Sequence, residues 1–504
     1  MNNYIHTPDT IRLQDVVNNN YTLSSSQYLK LILPNDNYMY VRDFLSRPLS
    51  RKDLGIEVGS LNYTEKSPFH FIRTKALQEH SFLLDINKES VLQVKPSEFN
   101  QMNLKSEDLI ISKDSNIGEI AILDKDYPHC MLSGALYRLP VRCEWKYYLL
   151  SFIKHPIFRE QLDFMVPKGA TIRHAKTKFL DCIIPLPNRN RSDVIKYVSF
   201  LTKAIIEKEK NIKQRHETIK LIIEKELLTN QNENVFKYSF PTFNDIMKYN
   251  RIDTNIYCEK FKEEFFIIHN YKDGYKNIEQ LGFKLSRGQN LQLSNIGKSI
   301  YAKKKYNNFY TLILPKFLSK YGTVNEVQYL GNKNSLKTLN KGDLIFGAEG
   351  FEKGRSIVIV EEQENAITNI HGITIQQNVP NLNKAIFIKC FLDYLRERGL
   401  IDLFAVGGNG GSLAQKYWHY IPFPNFPDEK QKEIATLYHK DIAYNLCDVT
   451  LDNFIELDDY YNLNAGIYEL DKTKKILTER LNKTIDDIIN CRNVDIVFPK
   501  TEKL

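Results

Sequence analysis

A chain of 504 residues that is 42% hydrophobic and 26% charged has the composition of a globular protein with two or three sizeable cores. No apolar run reaches the ~18–20 residues of a membrane span, and Met1–Pro8 has no signal-peptide character, so membrane and secreted classes are not expected. The net charge of +8 favours a polyanionic partner, and seven cysteines without a C-x-x-C pair fit a reducing cytosol rather than disulfides or structural zinc.

The first twenty or so residues are polar and Asn-rich. From Tyr28 to Pro187, and again from Arg251 to Pro424, the chain reads as one module written twice. Gly59-Ser-Leu-Asn-Tyr63 followed by Phe71-Ile72-Arg73 matches Gly297-Lys-Ser-Ile-Tyr301 followed by Phe309-Tyr310-Thr311 at identical spacing. Lys105-Ser-Glu-Asp108-Leu109-Ile110-Ile111 matches Asn340-Lys-Gly-Asp343-Leu344-Ile345-Phe346. A polar loop then reaches Gly118 or Gly354 and a strand-like run, Ile120–Leu123 or Ile357–Val360, with Gly134 and Gly372 between the runs that follow. Next come a helix-like segment (Tyr147–Ile153; Ala385–Phe391) and a Gly-containing loop (Pro167–Thr171; Gly407–Ser412). Each module closes on a rigid tripeptide, Pro185-Leu-Pro187 or Pro422-Phe-Pro424. Many short strands with few helices predict an α+β fold rather than a doubly wound sheet.

Between the modules, Ser192 to Thr229 carries an apolar ladder: Val194, Val198, Leu201, Ile205, Lys208, Ile212, Arg215, Ile219, Ile222. Steps of four and three make the seam of a helix that faces a partner helix. Ser192 reads as the N-cap, and ~1.5 Å per residue gives a rod of roughly 55–60 Å. After the second module, Asp428 and Gln431 have the spacing of a capping box, in a helix expected to stop near Leu446. A second ladder follows at Ile467, Leu470, Lys474, Leu477, Leu481, Thr484 and Ile488. Two such seams pair most simply antiparallel, which would hold the modules at opposite ends. The expected division is a first module in 1–187, a spacer helix in 188–234, a second module in 235–426, and a C-terminal helical region in 427–504 that pairs with the spacer.

Catalytic signatures are not found. Gly297-Lys298-Ser299 lacks the glycine of a phosphate loop, since Gln292 stands there, and Gly407–Gly411 lacks a strand–turn–helix setting. There is no H-E-x-x-H, no G-x-S-x-G and no Pro-Pro pair, so the adenine-holding loop of amino-methyltransferases is missing. Pro8-Asp9 and Pro427-Asp428 are not followed by the acidic-x-Lys of a common nuclease core, and the eleven His show no ligand spacing. Neither a catalytic residue, nor a metal, nor a cofactor is expected on this chain.

Two similar modules, a basic balance and a rigid spacer suit a protein that reads two half-sites on duplex DNA. The candidate contacts are Asn62, Lys66, Lys113, Asn116, Arg173, His174 and Lys176 in the first module. In the second they are Lys298, Lys303, Lys304, Lys305, Lys353, Arg355 and Lys416. Lysines meet phosphates and fix register, while Arg173 and Arg355 suit guanine edges. Competing readings are a stand-alone two-site regulator or decoy, and a protein–protein scaffold.

The order of motifs resembles the specificity subunit of type I restriction–modification systems. The matches are Gly411-Ser412, Ile421-Pro422-Phe423-Pro424, Glu429-Lys430-Gln431 and Ile434-Ala435 at the close. Arg251-Ile252-Asp253 with Tyr257 at the opening, and Gly342-Asp343-Leu344-Ile345 in mid-module, add to them. The first module departs, with Thr22-Leu-Ser24 at its opening and Asn188-Arg-Asn-Arg191 after its close. The resemblance implies two target-recognition domains separated by long helices, and a cytoplasmic chain inactive alone in phage defence. It further implies binding to double-stranded DNA, to two adenine methyltransferase subunits carrying S-adenosylmethionine and, where present, to two ATP-driven restriction (translocase) subunits.

Overall fold

The computed structural model describes residues 4–18, 21–23, 28–87, 90–166, 174–362, 365–407 and 410–499. The chain divides into two compact units, Met1–Lys210 with Ala443–Leu463 and Lys472–Leu504, and Asn211–Ile442 with Asn464–Asp471.

In the first unit, short apolar runs form β1 (Tyr38–Tyr40), β2 (His70–Ile72), β3 (Val91–Gln93), β4 (Leu109–Ser112), β5 (Ile120–Ile122), β6 (Cys130–Leu132) and β7 (Leu136–Leu139). β2 to β7 build two sheets, in the orders β3-β2-β6 and β5-β4-β7. β2 and β6 run parallel, and the other pairs antiparallel. Phe71, Ile72, Val94, Leu104, Ile110, Ala121 and Met131 form one core from both sheets. Helix α1 (Lys146–Lys154) buries Tyr148–Ile153, and α2 (Pro156–Met165) starts on a proline, whose fixed φ suits a first helical position. β8 (Ile183–Pro185) closes the module by pairing antiparallel with β1. Helix α3 (Arg191–Thr229) follows.

In the second unit, α4 (Glu259–His269) precedes β9 (Tyr275–Lys276), β10 (Phe283–Arg287), β11 (Ser299–Ala302), β12 (Tyr310–Leu312), β13 (Gln328–Asn332), β14 (Leu344–Gly347), β15 (Ser356–Val358), β16 (Ala366–Ile367) and β17 (Gly372–Gln377). The sheets are β11-β13-β12-β16 and β10-β17-β14-β15. Again one pair at a sheet edge, β12 with β16, is parallel. Helices α5 (Leu382–Glu397) and α6 (Leu400–Phe404) lead to β18 (Phe423–Pro424), which pairs antiparallel with β9 as β8 does with β1. Helices α7 (Asp428–Tyr438), α8 (Phe454–Asn464) and α9 (Ile467–Ile489) complete the chain. The fold is α+β, and each three-stranded sheet of the first unit recurs in the second with one further edge strand, β11 or β10.

Backbone bonds put the two modules in register. Gly55 N–H donates to Leu136 O and Gly288 N–H to Gly372 O, each at 3.0 Å. A Cβ at Gly55 would lie 2.1 Å from Ser133 O, and at Gly288 2.1 Å from Asn369 O, so the chains approach where a side chain cannot stand. The carboxylates of Asp108 and Asp343 accept from Lys105 N–H and Asn340 N–H, both at 2.9 Å, and so close the turn before the central strand. Gly118 (φ +79°) and Gly354 (φ +87°) end the loop after it in the left-handed region, with N–H bonds to Ser112 O and Gly347 O. At the module openings, Tyr28 Oη donates to Thr22 O and Tyr257 Oη to Arg251 O.

That register corrects part of the expected match. Tyr63 faces Val94 as Tyr301 faces Leu330, so Gly59–Tyr63 and Gly297–Tyr301 do correspond. But His70 N–H bonds to His129 O as Thr311 N–H bonds to Asn365 O, so the partner of Phe71 is Leu312 and not Phe309. The second module spends nine residues (302–310) where the first spends six (64–69). Phe309 turns its ring onto Gly331 and Tyr306 instead of entering the sheet. The partner of Gly372 is Leu136 rather than Gly134, from the matching bonds to Gly55 and Gly288. The Pro167–Thr171 loop lies outside the described residues.

The helices also differ in detail from expectation. α3 begins at Arg191, with Val194 N–H on Asn190 O at 2.9 Å, so Ser192 lies in the first turn rather than at the cap. In the first unit Val194, Val198, Leu201, Ile205 and Lys208 are buried as the ladder predicts. There α9 runs antiparallel to α3: Arg480 Nε donates to Tyr197 Oη at 2.8 Å, and Lys474 Nζ lies 3.8 Å from Glu209. In the second unit the buried positions are Ile212, His216, Ile219, Ile223 and Leu227, so the seam leaves Arg215 and Ile222. A straight helix drifts off a strict heptad repeat by ~20° per heptad, which moves the buried face on by one residue. α7 ends at Tyr438, and its expected capping box is not formed. Pro427 occupies the N-cap, and the Gln431 amide donates to Phe426 O at 2.8 Å instead.

Candidate nucleic-acid interface

Where the second module is three residues longer than the first, the loop that joins β11 to β12 carries Lys303, Lys304 and Lys305, all exposed. Lys298 is exposed just before β11. It follows the one-turn helix Leu293–Ile296 at its C-terminal end, where the dipole repels an anion, which removes any phosphate-loop geometry. At the corresponding place in the first module Lys66 is exposed, and Asn62 is half-buried with its Oδ1 3.4 Å from Lys95 Nζ. Exposed ammonium groups on a loop are free to follow a phosphate chain but carry no base information.

A second group lies at the loop after the central strand. Here the end of each module returns alongside: Ala175 N–H bonds to Lys113 O at 2.8 Å, and Leu413 N–H to Ala348 O at 2.9 Å. The bridges Asp114–His174 and Glu349–Ser412 follow, so Asp114 and Glu349 occupy the same position. Asp114 Oδ1 lies 2.7 Å from His174 Nδ1, and its Oδ2 accepts from Lys113 Nζ at 2.6 Å. Glu349 Oε2 lies 2.6 Å from His371 Nδ1, and its Oε1 accepts from Arg287 Nη1 at 3.0 Å. Both imidazoles stay outward, with side chains 60% and 59% exposed. Asn116 is exposed in the first loop and Phe351 in the second. Sequence reasoning found His174, Lys113 and Asn116, but missed Asp114, Glu349, His371 and Arg287. The signal available was the acidic residue two positions past each matched strand, at Ser112-Lys113-Asp114 and Gly347-Ala348-Glu349.

The other expected contacts lie elsewhere. Lys353 is buried, paired with Asp402 at 2.6 Å and donating to Gly410 O, so it clamps its loop from within. Arg355 donates to Leu318 O at 2.9 Å and pairs with Glu352 at 2.6 Å. Lys176 is exposed with φ +50°, and Lys416 is exposed with its Nζ 4.9 Å from the Tyr417 ring. Arg173 lies outside the described residues. Arg251, the motif arginine, is buried: it pairs bidentately with Asp253 at 2.7 and 2.8 Å and donates to Phe404 O at 2.7 Å. It fastens the module opening to the end of α6. Among the described residues no group of three His, Cys, Asp or Glu is placed to hold a metal ion, and no helix is long and apolar enough to cross a membrane.

No family model matches the chain, and no curated protein matches it. Solved structures do. The type I restriction-modification system S subunit from M. genitalium is 12% identical, over 92% of this chain and 98% of that one, with a TM-score of 0.40. A chain from a study of complex assembly and conformational transition of the type I R-M system is 13% identical over 91% and 99%, with a TM-score of 0.27. The HsdS subunit from Thermoanaerobacter tengcongensis is 12% identical over 90% and 96%, with a TM-score of 0.25.

Proposed function

We propose that this chain is the non-catalytic DNA-reading subunit of a type I restriction–modification complex. In this reading it recognises a bipartite sequence, one half through each module, and directs two adenine methyltransferase subunits to it, with restriction subunits where present. The observation that carries the reading is the doubled module itself. The two frames share the backbone bonds of their central strands and turns, yet at the same loop they present different polar groups, as two readers of two different half-sites must. Exposed lysines on the loops before β2 and β12, Lys66 and Lys303 to Lys305, supply the sequence-independent attraction to phosphate, and the motif order at the openings and closings supports the family.

The test is reconstitution. The purified chain, alone and with an adenine methyltransferase subunit and S-adenosylmethionine, is incubated with DNA carrying randomised blocks, and methylated molecules are sequenced. Methylation only by the complex, confined to molecules with two defined blocks, is the expected result. Methyl transfer by the chain alone, or methylation at a single contiguous site, would refute the reading.

A further inference from the structure

The loop corner of Asp114 and Glu349 places a carboxylate at one topological position in both modules of a basic chain. A surface carboxylate repels phosphate, so its presence at the same exposed corner of both modules needs a reason. Its neighbours supply one. Each carboxylate neutralises a cation, Lys113 or Arg287, and holds an exposed imidazole by its Nδ1. An ionised carboxylate only accepts hydrogen bonds, so each Nδ1 carries a proton, and Nε2 is the ring's outward atom, an acceptor in that tautomer. The imidazoles come from different walls. His174 stands where the second module has Ser412, and His371 stands where the first has Ala135, from the matching bonds Lys113 N–H to Ala135 O and Ala348 N–H to His371 O. Arg287 stands where the first module has Leu54, since Arg287 faces Ile373 as Leu54 faces Tyr137.

We infer that this corner is the base-reading point of each module, an inference that rests on the DNA-reading function proposed above. His174 and His371 each accept from the exocyclic amine of an adenine or cytosine in the major groove, and Arg287 donates to guanine. Asp114 and Glu349 are positioning residues. They set the tautomer and hold the ring over a backbone fixed by strand pairing, which is what a precise reader requires. Because the ring is mounted on a different wall in each module, the two read different places in their half-sites.

The experiment uses the full chain with its methyltransferase subunit and scores base preference at every position of both half-sites by selection from randomised DNA. His371→Ala should lower discrimination at one adenine or cytosine of the second half-site by roughly tenfold, the scale of one hydrogen bond. The first half-site should be unchanged, and binding to non-specific DNA should hold to within about twofold. His174→Ala should do the reverse. Glu349→Gln should blur the His371 position and a guanine in the same half-site, and Glu349→Asp should restore part of the preference. Intact base preference in His371→Ala, or in the milder His371→Gln, would make the corner a loop staple and overturn the inference while leaving DNA reading standing. Equal loss for every DNA sequence would make the imidazoles phosphate contacts, which also overturns it. Failure of the unaltered complex to bind DNA would remove both inference and reading.

Discussion

The two modules differ least where their chains turn and most where their loops meet solvent. Gly55 and Gly288, Asp108 and Asp343, and Gly118 and Gly354 make the same bonds in both. Beside them the polar groups change freely. Next to the Leu54/Arg287 position, Asp53 in the first module is a buried carboxylate gripped by Arg47 at 2.6 and 2.7 Å, while Ser286 in the second meets Thr374 at 2.7 Å. Residues that fix backbone geometry are therefore shared, and residues that face solvent or fill a local niche are not. A frame of this kind lets the loops vary without moving the strands that carry them.

The shared frame predicts equal fragility. Gly55→Ala and Gly288→Ala each drive a Cβ against a backbone carbonyl and should each cost roughly 3 kcal/mol, measured by urea unfolding. A loss under ~1 kcal/mol at either site would break the equivalence.

The two halves of α3 sharpen the contrast. In the first unit Lys208 is fully buried, bonded to Asp458 and, at 3.0 Å, to Asn462. Lys208→Met would strand the Asp458 charge and should cost about 3 kcal/mol. In the second unit His216 lies 2.7 Å from Glu397, whose side chain is 29% exposed. Burial raises the Glu397 carboxyl, but His216 and Lys220 outweigh it and hold it down at about 2. Water reaches that pair, so His216→Ala should cost less, about 1–2 kcal/mol. Equal costs would mean that burial does not separate the two seams.

How much of this was legible in the sequence follows from range. The doubled module could be read because its markers are local: a turn aspartate, a left-handed glycine, a closing proline strand. The rods could be read from periodicity. The slip between Phe71 and Phe309 could not, because equal aromatic spacing says nothing of which ring enters the sheet. Nor could the Arg287–Glu349–His371 corner, whose members come from three segments brought together by the β10-β17-β14 pairing. A lone lysine in a glycine loop, as at Lys353, reads as a phosphate contact because nothing local hints at Asp402 beneath it.

Changing Lys303, Lys304 and Lys305 to Ala should weaken binding to every DNA alike and flatten the log–log salt slope by up to about 2.7, against about 0.9 for Lys66→Ala. Equal slopes would show that the longer loop of the second module makes no additional phosphate contact.

A smaller difference should appear in acid. Arg47, with help from Ser50, outweighs burial and holds the Asp53 carboxyl at about 2, below its ordinary 3.8. A depressed carboxyl stabilises the folded state fully above the unfolded value and loses that contribution as pH falls through the folded one. The stability gap between the parent chain and Asp53→Asn should therefore close between pH 3.8 and about 2. A gap independent of pH would mean that Asp53 acts through shape alone.

The central claim is that each module reads its own half-site. Replacing Tyr28–Pro187 by the corresponding segment of a related chain, in the reconstituted methyltransferase complex, tests it most directly. Sequencing the DNA that is methylated should reveal one half of the target changed and the other half intact. A target in which both halves change together, or neither does, would contradict the account.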